Sequence, residues 1–360
     1  IRDRFTITII VRNMDKCTVT ISERLDSKLY EKWNNLILNA DEGTFFQSFE
    51  WCKILDDYGQ ASNSFMPYYV IGEDRDKNEL IGVMSLFLDR KGVMFSPPYG
   101  DYGGPCLSPT LSENERKAVL QEMLSKIEVE FSKKVKRILL KSVNESYLKS
   151  LSDFGYEARP AYFTFLLSVV NRNMDDVWRG FRRDVRRGIK KAEKSEFVIE
   201  EIGGKRWLEE YYEIYKVTMK KLEASVRSFH FFEILWDVLH PNNSLYALLA
   251  KHKQTYVAGI ISISWKRVLH IFGNVSFPEY LRLYPNDLIY HETIKWAIKT
   301  GHETVDFGLT PLDKESGLYQ FKERWGGTAK LLHVATKTYK RSPLSRLKLF
   351  ARRTLSKSRK

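Results

Sequence analysis

The spacing of apolar and polar positions predicts helices and strands in an order that runs twice through the chain. Residues 25–39 and 47–58 read as helices. Three strands follow at 68–72, 80–88 and 93–96, joined by the polar turns 73–79 and 89–92. A long helix is predicted over 112–134, opened by a capping box formed by Ser112 and Glu115. A strand of the buried type closes the set at 135–143. The second half returns to the same order. It has strands at 245–251, 256–265 and 268–274, a helix at 286–300 stopped by Gly301, and a strand at 304–307.

Residue identities support the repeat. Ile81-Gly82-Val83-Met84-Ser85-Leu86 matches Ala258-Gly259-Ile260-Ile261-Ser262-Ile263 at an offset of 177. One supersecondary unit used twice is the economical account. A glycine in mid-strand predicts close approach of a ligand or a bulge that splays the sheet. No linker rich in Pro, Gly or Ser separates the halves. The hand-over is placed near 155–160, with 162–169 as the strand that crosses it.

Composition adds bounds. A chain of 360 residues, 43% apolar and 29% charged, is long enough for two folded domains. The longest apolar stretch, 256–265, carries two serines and is too short to span a bilayer. Residues 5–11 alternate in polarity and read as a strand, not as the core of a signal peptide. The chain starts at Ile1, so residues upstream of it or a start at Met14 are both open. Cys17, Cys52 and Cys106 have no paired spacing, which argues against a disulfide framework and a zinc site and fits a reducing cytoplasm. The net charge of +13 is local. Of 58 Lys and Arg, ten lie in 337–360 with no acid among them, so the remaining 48 face 45 acids. Leu344, Leu347, Ala351 and Leu355 recur there at helical spacing. That pattern fits an interfacial or anion-binding helix at a membrane surface or RNA, or else a solvated basic terminus.

Three constellations are candidates for chemistry. The first is a basic helix over 178–194, with Phe181, Val185, Ile189 and Ala192 as its apolar stripe. Arg182, Arg183, Arg186, Arg187, Lys190 and Lys191 flank the stripe and offer phosphate-binding edges, or simply a solvated face. Gly188 in mid-helix counts against the helix. The second is the run Tyr99 to Pro105, where Tyr102, Gly103 and Gly104 predict a rigid, exposed, ligand-contacting loop, or a plain turn. In the third, a strand ends at Asp306 and Lys322 follows among Tyr319, Phe321 and Trp325, with Tyr319 and Phe321 as candidate substrate contacts. A lysine so placed is partly desolvated and could stabilise an oxyanion or hold a phosphate, or it snorkels to the surface. Asp306 is the best-placed carboxylate, or a turn former. The seven histidines show no ligand spacing and read as structural, and GxSxG, HExxH, P-loop and GxGxxG motifs are absent.

Several marks occur together and in order. They are Phe45-Phe46-Gln47-Ser48 with Trp51, Tyr102-Gly103-Gly104-Pro105, the Arg-rich helix, Thr218 before a basic pair, and Trp296-Ala297 before Gly301. Asp306-Phe307-Gly308, Gly317-Leu318-Tyr319, Phe321-Lys322 and Trp325-Gly326 complete the set. On these residues the chain resembles the FemAB-like transferases over most of 17–335. The resemblance implies an α+β or α/β fold of two tandem GNAT-like domains, each a mixed sheet flanked by helices. The first domain would be 1–158 completed by about 318–338, the second 159–317, and the basic tail 339–360. It implies transfer of an aminoacyl group from aminoacyl-tRNA to an amino group of a peptidoglycan precursor, with no metal and no cofactor. Lys322 matches the family's lysine at the reacting centre. Arg227, Phe231 and Phe272 match positions that contact the precursor, with Phe where Tyr is usual. The family's phosphate-binding lysine after the first Trp is not cleanly matched: Lys53 is close, and the aligned position is Leu55. The long coiled-coil arm of some members is absent, and the loop versions also look like relatives from exopolysaccharide or lipid-linked glycan systems.

The catalytic candidates are therefore Lys322, which the resemblance implies, and Asp306, read from its place at a strand end; the resemblance also implies an activated acyl donor and a cell-envelope amine acceptor. The place of work is the cytoplasm or the inner membrane face. An acyl-CoA-dependent N-acyltransferase and a non-catalytic RNA- or membrane-binding protein are the competing readings. Arg324-Trp325-Gly326-Gly327-Thr328-Ala329 fits the R-x-x-G-x-A loop with which GNAT enzymes cradle acetyl-CoA. That loop should open a helix, and a β-type run at 331–338 follows here instead.

Overall fold

The computed structural model describes residues 17–142 and 145–339 and divides the chain into two compact units. The first holds residues up to 52, 63–158 and those from 335 onward; the second holds 53–62 and 159–334. The segment 318–334 thus groups with the second unit, because Tyr319 and Trp325 are buried in that unit's core. The strand read at 5–11 and the helical pattern at 344–355 lie outside the described residues.

In the first unit, β1 (Cys17–Ser22), α1 (Tyr30–Asn39) and α2 (Phe49–Ser62) precede the meander β2 (Phe65–Asp74), β3 (Glu79–Asp89) and β4 (Val93–Ser96). Then come β5 (Cys106–Leu107), α3 (Glu113–Phe131), β6 (Arg137–Ser142) and α4 (Ser146–Asp153). The strand order is β1-β2-β3-β4-β6, antiparallel except for the parallel pair β4–β6, with β5 on β3. Helix α3 starts where the sequence places it. Ser112 Oγ accepts the Glu115 N–H, and the Glu115 carboxylate accepts the Ser112 N–H at 2.8 Å. Its buried face, Val119, Leu120, Met123, Leu124, Ile127 and Phe131, covers Met84, Leu86, Ile138 and Leu140 of the sheet.

The second unit begins with β7 (Glu157–Ser168), α5 (Met174–Gly180), α6 (Arg183–Glu193), β8 (Phe197–Glu201), α7 (Lys205–Lys221) and α8 (Phe229–Leu239). A second meander follows: β9 (Leu245–His252), β10 (Thr255–Trp265) and β11 (Val268–Ser276). The chain continues through α9 (Pro285–Lys299), β12 (Thr304–Asp306), β13 (Thr310–Pro311), α10 (Gly317–Glu323) and β14 (Thr328–Thr338). The order β7-β12-β11-β10-β9-β8 again contains one parallel pair, β11–β12, next to an antiparallel meander. The predicted repeat is therefore a repeat of topology: meander, helix, parallel strand. Strand β14 opens beside β7, and from Ala335 onward it counts with the first unit, where the Tyr339 N–H reaches the Lys136 carbonyl at 2.8 Å.

The mid-strand glycines serve packing and sit beside bulges. A Cβ on Gly82 would sit 2.9 Å from Leu107 Cδ2 and 3.0 Å from Met123 Sδ; one on Gly259 would sit 2.7 Å from the Tyr211 ring. On the side its Cβ would occupy, each glycine makes room for packed side chains and leaves no space there for a ligand. The expected bulges are present beside both: Ile81 stands outside the β2–β3 ladder next to Gly82, and Val257 outside the β9–β10 ladder two residues before Gly259. A further bulge lies on β11, where Ile261 pairs with Gly273 and Ser262 with Ile271, leaving Phe272 outside the ladder. No helix of the described residues is long and apolar enough to cross a membrane.

Candidate active site

Lys322 is on α10, whose N-cap Ser316 accepts the Tyr319 N–H. The ammonium is buried, with only 5% of the residue exposed. That burial rules out snorkelling. Lys322 Nζ donates to the Gly308 carbonyl at 3.1 Å and to the Leu309 carbonyl at 2.7 Å. The aromatics expected around it are committed to the core. Tyr319 packs edge-on against Phe163 and Phe165, Phe321 edge-on against Tyr290, and Trp325 edge-on against Phe181 and stacked on Tyr290. Tyr319, expected at a substrate, is buried because its ring closes the gap between α10 and β7.

The carbonyls that hold Lys322 belong to the turn after β12. Gly308 has φ +70°, a left-handed conformation that favours glycine. Asp306 Oδ1 fixes this turn by accepting the Gly308 N–H at 2.9 Å and the Thr164 hydroxyl at 2.5 Å. Asp306 Oδ2 stands 3.1 Å from His270 Nδ1. Thr164, His270 and Asp306 come from β7, β11 and β12, and all are buried. Parallel pairing of β11 with β12 sets His270 opposite Asp306. The sequence reading placed Asp306 correctly at a strand end but set His270 aside. Its signal is visible only through sheet register, since the two are far apart in sequence and share no motif.

Arg227, Phe231 and Phe272, matched by resemblance alone, come together. The Arg227 guanidinium lies 5.1 Å from the Phe231 ring centre and 5.4 Å from that of Phe272, and the two rings stack at 6.2 Å. The backbone at Arg227 is pinned by two α7 tyrosines: its N–H donates to Tyr215 Oη, and its carbonyl accepts from Tyr212. Lys53 is exposed and paired with Asp57 at 2.6 Å, while Leu55 is fully buried.

The basic helix is two helices. Phe181 and Arg182 are extended, because the Arg182 N–H is spent on the Arg324 carbonyl at 2.9 Å and the Phe181 ring packs on Trp325. The predicted stripe Phe181, Val185, Ile189 and Ala192 is buried as expected. Arg182 pairs with Glu323 at 3.1 Å. Arg183, Arg187 and Lys190 are exposed, Arg186 is half-buried, and none of the four pairs with an acid among the described residues.

Gly188 is required for packing. An added Cβ would overlap Asp287 Oδ2 and lie 3.0 Å from the Tyr284 ring, where α6 crosses α9. Helix propensity alone would favour alanine by about 1 kcal/mol. Overpacking costs about 1–3 kcal/mol. Gly188→Ala is therefore expected to lower the unfolding midpoint in urea; a raised midpoint would refute the close crossing.

Asp287 is buried and bonded to the Arg324 guanidinium, which also lies 3.7 Å from Asp184. Burial, opposed by Arg324, pushes the Asp287 carboxyl up to about 6. Because the folded value exceeds the unfolded one, the native state binds the extra proton between about pH 4 and 6, and stability falls as pH rises through that window. The cost is absent below it and is on the order of 3 kcal/mol above it. Urea unfolding of wild type and Asp287→Asn from pH 4 to 8 is expected to show wild type losing ground between 4 and 6. Parallel curves would contradict this.

In the first unit, the run 102–105 is buried rather than exposed. A Cβ on Gly103 would overlap the Ser96 carbonyl, Ser96 Oγ accepts the Gly104 N–H at 3.0 Å, and the Tyr102 ring packs on Phe46. Close backbone contact with β4 draws this segment inward. The Phe45-to-Trp51 mark is likewise a structural corner: Trp33 Nε1 donates to the Gln47 carbonyl, and Ser48 caps α2.

Comparison with known proteins completes the description. Residues 179–323 match the family model described as an acetyltransferase (GNAT) domain. Among solved structures the chain is similar to FemX, at 15% identity and a TM-score of 0.67, over 88% of this chain and 96% of FemX. It is also similar to a tandem GNAT protein from the clavulanic acid biosynthesis pathway, at 9% identity and 0.57, over 91% and 99% of the two chains. L-PGS from Bacillus licheniformis is similar at 11% identity and 0.50, over 74% and 84%. No curated protein matches the chain by sequence.

Proposed function

From a chain that is FemAB-like and tandem-GNAT in fold, with a GNAT domain over residues 179–323, we propose an acyltransferase that works on an amine of the cell envelope. The donor in this reading is aminoacyl-tRNA, and the acceptor is an amino group of a peptidoglycan precursor or related glycan. The acceptor nitrogen attacks the acyl carbonyl. A C–N bond forms, the ester C–O bond breaks, and the amine proton ends on the departing ribose oxygen. Alignment of two large substrates supplies much of the rate. Negative charge develops on the carbonyl oxygen, and a preorganised cation in a water-poor place stabilises it.

The buried ammonium of Lys322, held by two carbonyls, is the observation that carries this reading. Arg227 with Phe231 and Phe272 suits the acceptor. Arg183, Arg186, Arg187 and Lys190 suit the phosphates of the donor. The acyl-CoA reading is less well supported, because Thr328 opens β14 and not a helix, so Arg324 to Ala329 does not form a pyrophosphate-binding helix start.

The test is donor discrimination by the full chain and by a chain lacking residues 340–360. Charged tRNA, uncharged tRNA and acyl-CoA are titrated in turn. Preference for charged tRNA that survives removal of the tail is expected. Saturable acyl-CoA binding without tRNA preference would replace this reading with the N-acyltransferase one.

A further inference from the structure

We propose that Asp306, clamped between Thr164 and His270, is a positioning residue that sets the place of the Lys322 ammonium through Gly308. The role rests on the reading of Lys322 given above, but the geometry can be tested without turnover. Asp306 bonds the turn that holds Lys322. Its Oδ1 accepts the Gly308 N–H at 2.9 Å, and the carbonyl of the same residue accepts from Lys322 Nζ at 3.1 Å. One residue, Gly308, thus takes the carboxylate on its nitrogen side and the ammonium on its oxygen side.

Three strands converge to hold the carboxylate. The Thr164 hydroxyl is 2.5 Å from Oδ1 and 3.3 Å from the Gly308 carbonyl, so it ties Asp306 to the turn from β7. His270 Nδ1 stands 3.1 Å from Oδ2 on the β11 side. Thr310 Oγ1 adds a contact to the Gly308 carbonyl at 3.2 Å. A buried carboxylate oxygen that accepts two hydrogen bonds is held in place, and removing one donor leaves it poorly satisfied. No comparable set of partners is needed merely to end β12, since an exposed Asp in a turn would do that. The arrangement instead fixes the direction of two carbonyls, and these fix Lys322.

The experiment measures how fast the Lys322 amine is modified in the intact chain. Limiting acetic anhydride is applied, and peptides are quantified by mass spectrometry. Asp306→Leu and Thr164→Val are expected to raise Lys322 modification by about fivefold, the scale of one lost hydrogen bond. Thr164→Ser keeps the hydroxyl and is expected to stay at the wild-type rate, which separates loss of the bond from loss of packing. Equal rises in the Ser and Val variants, or no rise in any variant that retains its unfolding transition, would overturn the proposal. Where charged tRNA supports turnover, the same variants are expected to lower kcat while leaving KM for donor and acceptor little changed. A chain inactive with every donor but showing the labelling pattern would overturn the functional reading and leave the positioning intact.

Discussion

Lys322→Met is expected to lower acyl transfer by about a hundredfold or more, the range found when one preorganised donor to an oxyanion is removed. Methionine has nearly the length of the lysine stem and no charge to bury. The residue is 5% exposed and its ammonium bonds two backbone carbonyls, so its removal relieves a desolvation cost while taking one donor from the Leu309 carbonyl and one from the Gly308 carbonyl, which keeps the Thr164 and Thr310 hydroxyls. These effects oppose each other, and the unfolding midpoint should move little. Activity and stability are therefore separable in this variant. Steady-state kinetics beside a urea titration reads both, and wild-type turnover in a folded Lys322→Met protein would remove this residue from the reacting centre.

The largest expected effect on stability lies in the first unit, at Glu42. Its carboxylate accepts the Leu107 N–H at 3.0 Å and the Arg116 guanidinium at 2.9 Å, and it bonds the Tyr147 hydroxyl. Burial pushes the Tyr147 phenol far up, with the Glu42 charge adding to it, so this hydroxyl stays a donor at any working pH. Glu42→Ala strands a half-buried cation, a buried hydroxyl and a buried N–H together. Breaking a buried pair on one side costs about 3–5 kcal/mol. Asp57→Ala, which removes the exposed partner of Lys53, should cost no more than about 0.5 kcal/mol. Urea unfolding of both variants decides the matter; a Glu42→Ala loss as small as that of Asp57→Ala would mean the cluster contributes nothing.

Local periodicity made the two meanders legible. β4 lies at 93–96 as read, and β2, β3, β9, β10 and β11 differ from their predicted bounds by a few residues. The capping box at Ser112 and Glu115 likewise needs nothing beyond four residues of chain. Helices α7 and α8 were not anticipated. Phe229–Leu239 is so continuously apolar that a helix and a buried strand look alike in it, and α7 spreads tyrosines over adjacent positions. The break at Phe181 and Arg182 was also invisible, because a carbonyl at Arg324 causes it. At the candidate site, Lys322 and Asp306 stood out by residue type, whereas Thr164 and His270 required the pairing of β7, β11 and β12. Helix propensity counts against Gly188, but what fixes a glycine there is the Asp287 side chain pressed against it.

Strand β14 also bears on how the chain is made. The first unit is complete only when residues from Ala335 onward join it, after the whole second unit has left the ribosome. Until then, the edge of β6 that β14 will cover is a row of unsatisfied backbone groups on a nascent chain. Domains generally fold in the order of synthesis. Here that order is inverted for the last step: the strand that closes the first unit's sheet is made after all residues of the second unit.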